Sequence, residues 1–382
     1  MAVADPRPEL ENPLAEVETG GTLTIDLAAI ESNWRTLTHH TVTAECAAVV
    51  KADAYGLGLE PVTAKLAAAG CKTFFVADLA EARRVRGRAR EATIYVLNGF
   101  SPEGGPAFID INARPVINTM TELAEWDSFV AARKWQGGAA LHVDTGMNRL
   151  GISSGEAIAL APRVQTESHG ITLLMSHLAC AEIADHPLNA KQMTLFREIR
   201  QLYRGVPASL ANSAGIFLGD SALCDLARPG AALYGINPRP GNLSPVRGVV
   251  ELTGRILQIR NVERGGTVGY GAAWTAKRAS RIAVAAVGYA DGLLRSAGGV
   301  DGGHGGAAMV GGKRCPFVGR ISMDLVCIDV TDLPPDAVHR GQAAIMIGEG
   351  IEVDDVAAAA GTIGYEILTR LGPRCHLIYR GA

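Results

Sequence analysis

No run of eighteen apolar residues occurs anywhere in the 382-residue chain, so no membrane-spanning helix is expected. A charge excess is missing too. The 36 lysines and arginines against 39 aspartates and glutamates leave a formal net charge of −3, which argues against a nucleic-acid or membrane-surface partner. The run Arg83-Arg84-Val85-Arg86-Gly87-Arg88 therefore reads as a solvated helix face. Seven cysteines, an odd number with no C-x-x-C pair, supply neither a disulfide frame nor a zinc site, so no metal is expected, and they fit a reducing compartment. The first twenty residues carry Pro6, Pro8 and Pro13 but neither the basic n-region nor the apolar h-region of a secretory signal. A cytoplasmic protein is expected, with residues 1–18 a loose tail. No G-x-G-x-x-G opens a helix, which weighs against an open doubly wound sheet. Lysine is scarce: positions 51, 65, 72, 134, 191, 277 and 313 are all there are.

Six of those lysines sit in polar or helical contexts, and Lys51 does not. The apolar run Ala47-Ala48-Val49-Val50 reads as a buried strand. It ends at Lys51 and continues into a turn, Ala52-Asp53-Ala54-Tyr55-Gly56-Leu57-Gly58. Desolvation at a buried strand end disfavours the ammonium. A lowered pKa is what a Schiff-base nucleophile needs. Taken alone, the stretch is equally compatible with a structural lysine.

Short apolar runs recur at about 46–50, 73–77, 93–97, 114–117, 139–143, 171–176, 207–211 and 230–234, with amphipathic segments between most of them. Eight strands alternating with helices predict a (β/α)8 TIM-type barrel. Barrel catalytic groups sit after the C-terminal ends of strands. Lys51, Asp144 through Arg149, His177, Asn212 and Ser213 all follow apolar runs. Ser213 and its small neighbours suit a dianionic phosphate, and Tyr55 adds a donor. Gly230 lets backbone approach closely. Arg228 adds a cation that does not release its proton. The segment 235–248 reads as a Pro/Gly linker, and strand-like runs at 249–259, 282–287, 325–330, 343–347 and 376–379 predict a mostly β C-terminal domain. Residues 297–312 read as a long Gly-rich hairpin loop. The expected division is a barrel over 19–245 and a β-rich domain over 246–382, with the first strand, 22–27, free to pack with either.

The run VVKADAYGLG resembles the pyridoxal-phosphate (PLP) lysine motif of the alanine racemase family, and the likeness extends over nearly all of the chain from about residue 20. DTGMNRLG at 144–151 is similar to the family motif whose arginine, here Arg149, meets the cofactor's phenolic oxygen and the substrate carboxylate. Ser176-His177-Leu178-Ala179 resembles the family's SHxA, with the histidine over the ring. Asn212, Ser213, Arg228, Gly230 and Ala231 fall on phosphate and ring-nitrogen elements. In the C-terminal part, Tyr270 of GYG matches the second base. Met323 of GRISMD matches the residue whose amide binds the substrate carboxylate. Both are donated by the partner subunit of a head-to-tail homodimer. Tyr365 matches the tyrosine that contacts the phosphate and narrows the pocket, and Tyr289, Arg295 and Arg320 match entrance residues. One position departs: seven residues before the arginine the family often has a lysine, sometimes carbamylated, and this chain has His142.

The resemblance implies a PLP enzyme that interconverts L- and D-alanine with two bases, Lys51 acting on the D-isomer and Tyr270 on the L-isomer. A free tyrosine titrates near pH 10, so the phenolate needs a cationic or hydrogen-bonding neighbour, for which a His177–Arg228 relay is expected. A broader amino-acid racemase on the same scaffold, a barrel PLP decarboxylase and a non-catalytic PLP-binding protein are the alternatives. GYG and GRISMD speak against the decarboxylase, and the second domain against the carrier. Whether the product serves peptidoglycan synthesis or alanine catabolism stays open.

Overall fold

The computed structural model describes residues 18–164, 170–372 and 374–381. The expected loose tail lies outside these residues, apart from Glu18. Two compact units divide the chain. One is Ala28–Arg247; the other combines the segment ending at Leu27 with the chain from Gly248 onward.

The first unit is built on short parallel strands. Along the chain these are β2 (Glu45–Cys46), β3 (Ala48–Val49), β4 (Thr73–Val76), β5 (Thr93–Val96), β6 (Arg114–Ile117), β7 (Ala139–His142), β8 (Ile171–Met175), β9 (Ala208–Ser209) and β10 (Leu226–Ala227), preceded in the sequence by β1 (Gly21–Asp26) of the other unit. Strands β3 to β9 pair in sequential order, all parallel. Strand β10 pairs in parallel with β2. The amides of Ala47 and Val49 donate to the carbonyls of Ala227 and Pro229, and Asp225 and Arg228 donate back to Ala208 and Ala211. These bonds close the ring as a TIM-type barrel.

Such strands are covered on both faces and read as unbroken apolar runs. Phe74, Phe75, Val76, Val116, Ile117, Ala139, Ala140, Leu141 and Leu174 are all within 2% of full burial. Fully burying a Leu, Ile, Val or Phe side chain contributes roughly 1.5–3 kcal/mol. Helices return the chain between strands. Asp78 caps Leu79–Arg88 by accepting from the Glu81 amide, and Thr119 caps Met120–Arg133 by accepting from the Glu122 amide. The Glu122 carboxylate does not return to Thr119 as a capping box would; it accepts from the Asn118 amide at 2.7 Å.

One expected strand is misplaced. The run 230–234 is a 3-10 turn, Ala231–Tyr234, ended by Gly235 at φ 83°. The closing strand is Leu226–Ala227, too short to show as an apolar run. Pro229 and Gly230 end it before the more hydrophobic segment begins.

The second unit is a β structure of strands β1, β11 (Val250–Val262), β12 (Thr267–Val268), β13 (Trp274–Thr275), β14 (Ser280–Ala285), β15 (Ala307–Val310), β16 (Lys313–Pro316), β17 (Val326–Asp329), β18 (Ala343–Ile347) and β19 (His376–Arg380). Strand β11 is its spine: its first seven residues alternate buried and half-buried, and it pairs with β1, β14 and β18. Strand β1 lies between β11 and β19 and therefore belongs to this sheet, not to the barrel. The Gly-rich stretch expected to be loop ends in a strand. Residues 307–310 pair with 313–316 across Gly311-Gly312, both at positive φ (56° and 77°), the backbone that a two-residue hairpin turn with two positive-φ residues requires. No described helix is long and apolar enough to cross a membrane.

Candidate active site

The C-terminal ends of the barrel strands gather Lys51, Asn118, His142, His177 and Arg228. Lys51 directly follows β3 and Val50. The four residues after it do something that the sequence does not announce. Ala52, Asp53, Ala54 and Tyr55 all have φ between 54° and 58°, a left-handed turn. For L-residues this conformation costs roughly 1–2 kcal/mol each, so other contacts must hold it. Ala54 donates to Val50 O at 2.9 Å, and Gly58 to Asp53 O at 2.9 Å. Glu81 accepts from the amides of Asp53 and Ala77. Arg84 bridges Asp53 and Glu60. Strain held this way concentrates at functional sites. Burial, and then the charge of Arg149, push the Lys51 amine below its ordinary pKa, with Glu81 opposing them.

Arg228 is 4% exposed. Its guanidinium donates to Ser209 Oγ, to Ser176 O at 2.6 Å and to His177 Nδ1 at 3.4 Å, and lies 5.8 Å from the Phe75 ring centre. Burial lowers its pKa to about 10, so it stays charged at neutral pH. All of those partners are neutral. A guanidinium only donates, so His177 Nδ1 accepts and the neutral ring carries its hydrogen on Nε2. Burial, then Arg228, push His177 well below the usual histidine range. Gln192 fixes the same region: its Nε2 donates to His177 O and Thr145 Oγ1, and its Oε1 accepts from the Ala179 amide.

Ser213 Oγ accepts from the amides of Gly230 and Ala232 at 3.0 and 3.2 Å, which leaves its own hydrogen to donate. A Cβ on Gly230 would sit 2.3 Å from the Tyr55 hydroxyl oxygen, and the Tyr55 ring stacks on Tyr234 at 4.6 Å. Ala231 is buried beside them. Asn212 is near in sequence, but its Oδ1 accepts from the Gly215 amide. Arg149 is exposed and follows a loop that Asp144 organises by accepting from the amides of Gly146, Met147 and Asn148. None of Lys51, Arg149 and Arg228 forms an ion pair among the described residues.

In the other unit, Tyr270 starts a short turn after Gly269 and is 71% exposed; Met323 is 53% exposed. A Cβ on Gly271 would approach Arg320 Nη1 to 3.5 Å. Tyr289 and Arg295 begin the turns Tyr289–Asp291 and Arg295–Ala297. The Tyr289 and Ala290 amides donate to Ser322 O and Met323 O, both at 3.0 Å. The Met323 amide has no acceptor among the described residues. Tyr365 is the second residue of the helix Gly364–Arg370.

Profiles described as "Alanine racemase, N-terminal domain" and "Alanine racemase, C-terminal domain" match residues 25–238 and 249–379. The chain belongs to the alanine racemase family. An alanine racemase of Methylobacterium sp. (strain 4-46) is 51% identical over 361 residues, covering 94% of this chain and 98% of its own. One from Methylobacterium nodulans is 52% identical over 356 residues, covering 93% and 95%. The crystal structure of alanine racemase from Bartonella henselae, with covalently bound pyridoxal phosphate, superposes with a TM-score of 0.88 at 36% identity, covering 94% of this chain and 99% of that one.

Within that alanine racemase framework, Tyr234, Glu81, Asn118, Gln192 and Asp291 escaped the sequence reading. The first four serve residues already singled out, through side-chain bonds between segments distant in sequence. The tyrosine in ARPGAALYG, six residues after Arg228, and Asp291, two residues after Tyr289, lay close enough to singled-out residues to be noticed.

Proposed function

We propose that this enzyme interconverts L- and D-alanine with pyridoxal phosphate bound at the barrel mouth. The observation that carries the reading is the gathering of Lys51 and Arg228 at the barrel strand ends, with Arg149 acting on the charge of both Lys51 and His177 and none of the three ion-paired among the described residues. The two arginines suit an anionic cofactor and a carboxylate substrate, and the Lys51 amine suits an aldehyde. The phosphate would rest on Ser213, Tyr55 and the backbone at Gly230 and Ala231, with Asn212 shaping the loop. Arg228 would face the ring nitrogen and Arg149 the phenolic oxygen. Tyr365 is assigned to the phosphate and to narrowing the pocket.

Bound there, the cofactor supplies the electron shift that acidifies the substrate α-hydrogen. The chain's own residues decide where that proton goes. Lys51 Nζ, whose ammonium form burial disfavours, takes or returns it on one face of Cα and acts on the D-isomer. Tyr270 does so on the other face, on the L-isomer, with His177 and Arg228 as its relay. Arg228 keeps its proton, so a ring nitrogen placed against it would stay unprotonated. Such a ring would be a weak electron sink, which would limit side reactions and suit a simple proton exchange. The Met323 amide and Arg149 hold the substrate carboxylate; Tyr289, Arg295 and Arg320 line the approach.

Exposure of Tyr270 and Met323 in the single chain supports their donation to a second copy in a homodimer. Seven cysteines, all unpaired, support a cytoplasmic location. The test of substrate class is a chiral assay against L-alanine, L-serine, L-lysine and L-arginine. Conversion confined to alanine supports the reading, and equal conversion of the basic amino acids replaces it with a broad racemase.

Two further variants probe this arrangement. Gly230→Ala puts a methyl against the Tyr55 hydroxyl, and overpacking of roughly 1–3 kcal/mol weakens cofactor binding about tenfold. Absorbance titration of the apoprotein with pyridoxal phosphate measures it. Asp291, 5% exposed, accepts from the Gly288 amide at 2.8 Å, and Arg374 links it to Asp324, next to Met323. Asp291→Ala leaves that amide unsatisfied, loosens the Met323 turn and raises the KM for alanine about tenfold, with a smaller change in kcat. An unchanged KM in steady-state kinetics removes Met323 from carboxylate binding.

A further inference from the structure

The left-handed turn 52–55 has a site residue at each end. Lys51 stands before it and Tyr55 closes it, and both ends are tied to the barrel. Lys51 follows β3 through Val50. Tyr55 stacks on Tyr234, whose hydroxyl donates to Val49 O at 3.0 Å. Between those ties four L-residues run at positive φ, with no glycine until Gly56. The local bonds from Ala54 to Val50 O and from Gly56 to Ala52 O follow the turn, but a run of L-residues does not keep that hand unaided.

The aid comes from the helix Leu79–Arg88, and it converges on Asp53. Glu81 holds the backbone. Its Oε1 accepts from the Asp53 amide at 3.1 Å and its Oε2 from the Ala77 amide at 2.8 Å. Ala77 directly follows β4, which pairs with β3, so one carboxylate splints two neighbouring strand ends. Arg84 holds the side chain. Its Nη2 donates to Asp53 Oδ1 at 2.5 Å and to Glu60 Oε2 at 2.6 Å, and its Nε donates to Glu60 Oε1 at 2.5 Å. Asp53 Oδ1 also accepts from the amide of Leu59, the first residue of the helix Leu59–Ala69. The three charged side chains are only 25–31% exposed, and the planar fork of an arginine suits this two-carboxylate grip.

We propose that Glu81 and Arg84 are positioning residues: gripping Asp53 by its amide and its carboxylate, they hold the turn that presents the Lys51 amine and the Tyr55 hydroxyl to one cofactor before it arrives. The inference rests on the assignment of Lys51 and Tyr55 to pyridoxal phosphate. A loosened turn would misalign the two, so cofactor affinity and proton transfer would fall together. Binding of the substrate carboxylate, assigned to Arg149 and Met323 on other segments, would not change.

Hydrogen–deuterium exchange of the unaltered apoprotein comes first, read by mass spectrometry on peptides covering residues 51–59. Protection of the Ala54, Gly56 and Gly58 amides before any cofactor is added is the expected result. A turn that exchanges freely and becomes protected only with pyridoxal phosphate overturns the proposal, because the cofactor would then order it. Arg84→Met and Glu81→Ala follow. In each, exchange of those amides in the apoprotein should rise. Cofactor affinity by absorbance titration and kcat should each fall about tenfold, with the KM for alanine unchanged. Arg84→Lys keeps the charge without the fork and should lie between Arg84→Met and the parent. A lower melting temperature with exchange, cofactor affinity and kcat unchanged leaves the two residues merely structural and overturns the proposal, as does a raised KM alone. Borohydride reduction of the unaltered holoenzyme separates the layers. Absence of the cofactor mass from Lys51 sinks the underlying assignment, whereas its presence there with variants that behave as the parent sinks only the brace. If neither variant folds, the exchange pattern of the unaltered apoprotein decides.

Discussion

Lys51→Ala is expected to abolish racemisation of alanine. The substitution removes both the covalent anchor for the cofactor and one of the two bases. A positioned general base alone is worth about 10²–10⁴ in rate, so activity should fall by at least about 10⁴-fold. The fold should survive, because the Lys51 side chain forms no hydrogen bond or ion pair among the described residues and the turn after it is held by Glu81, Asp53 and Arg84. Chiral chromatography of the products measures the rate. The visible absorbance of the lysine-bound cofactor should vanish in parallel, while thermal melting of the apoprotein stays close to that of the parent. A variant that still racemises would displace Lys51 from the chemistry and leave the cation cluster as a mere binding site.

Tyr270→Ala is expected to lower alanine racemisation by about 10²–10⁴-fold but to leave one half of the chemistry running. With Lys51 intact, D-alanine in deuterium oxide should still exchange its α-hydrogen without inverting. Proton abstraction from L-alanine should stop. Mass spectrometry of each isomer separates the two outcomes, and normal racemisation would end the two-base scheme. Mixing the two inactive variants then tests donation across a dimer. If each site combines Lys51 of one copy with Tyr270 of the other, a mixed dimer contains one intact site and activity returns. If both residues act within one chain, every mixture remains inactive.

The sequence exposed what depends on residue type at strand ends. Lys51 and His177 follow apolar runs, and the structure brings them with Arg228 to one end of the barrel. It also showed the change of rhythm after residue 248, because β11 alternates over its first half. It hid what depends on backbone conformation without a marker. The left-handed turn at 52–55 holds two alanines, an aspartate and a tyrosine, where a turn of that hand would normally advertise itself with glycine. The closing strand Leu226–Ala227 was masked because two residues carry no period, while Ala-Ala-Leu-Tyr just beyond is more hydrophobic yet bends into a 3-10 turn. Asn118 and Gln192 were invisible for another reason. Their importance lies in which atom of each amide is already committed, and only coordinates reveal that.

The placement of β1 has a consequence for how the protein is made. Gly21–Asp26 emerges early from the ribosome, yet its neighbours β11 and β19 begin only at Val250 and His376. At about 5–20 residues per second, the roughly 220 residues between β1 and β11 take on the order of 10 to 45 s to synthesise. Through that interval the barrel segment can complete itself while the strand before it waits without a sheet. A released chain ending near Arg247 would therefore carry every barrel strand and an unpaired β strand, the kind of edge that recruits other chains.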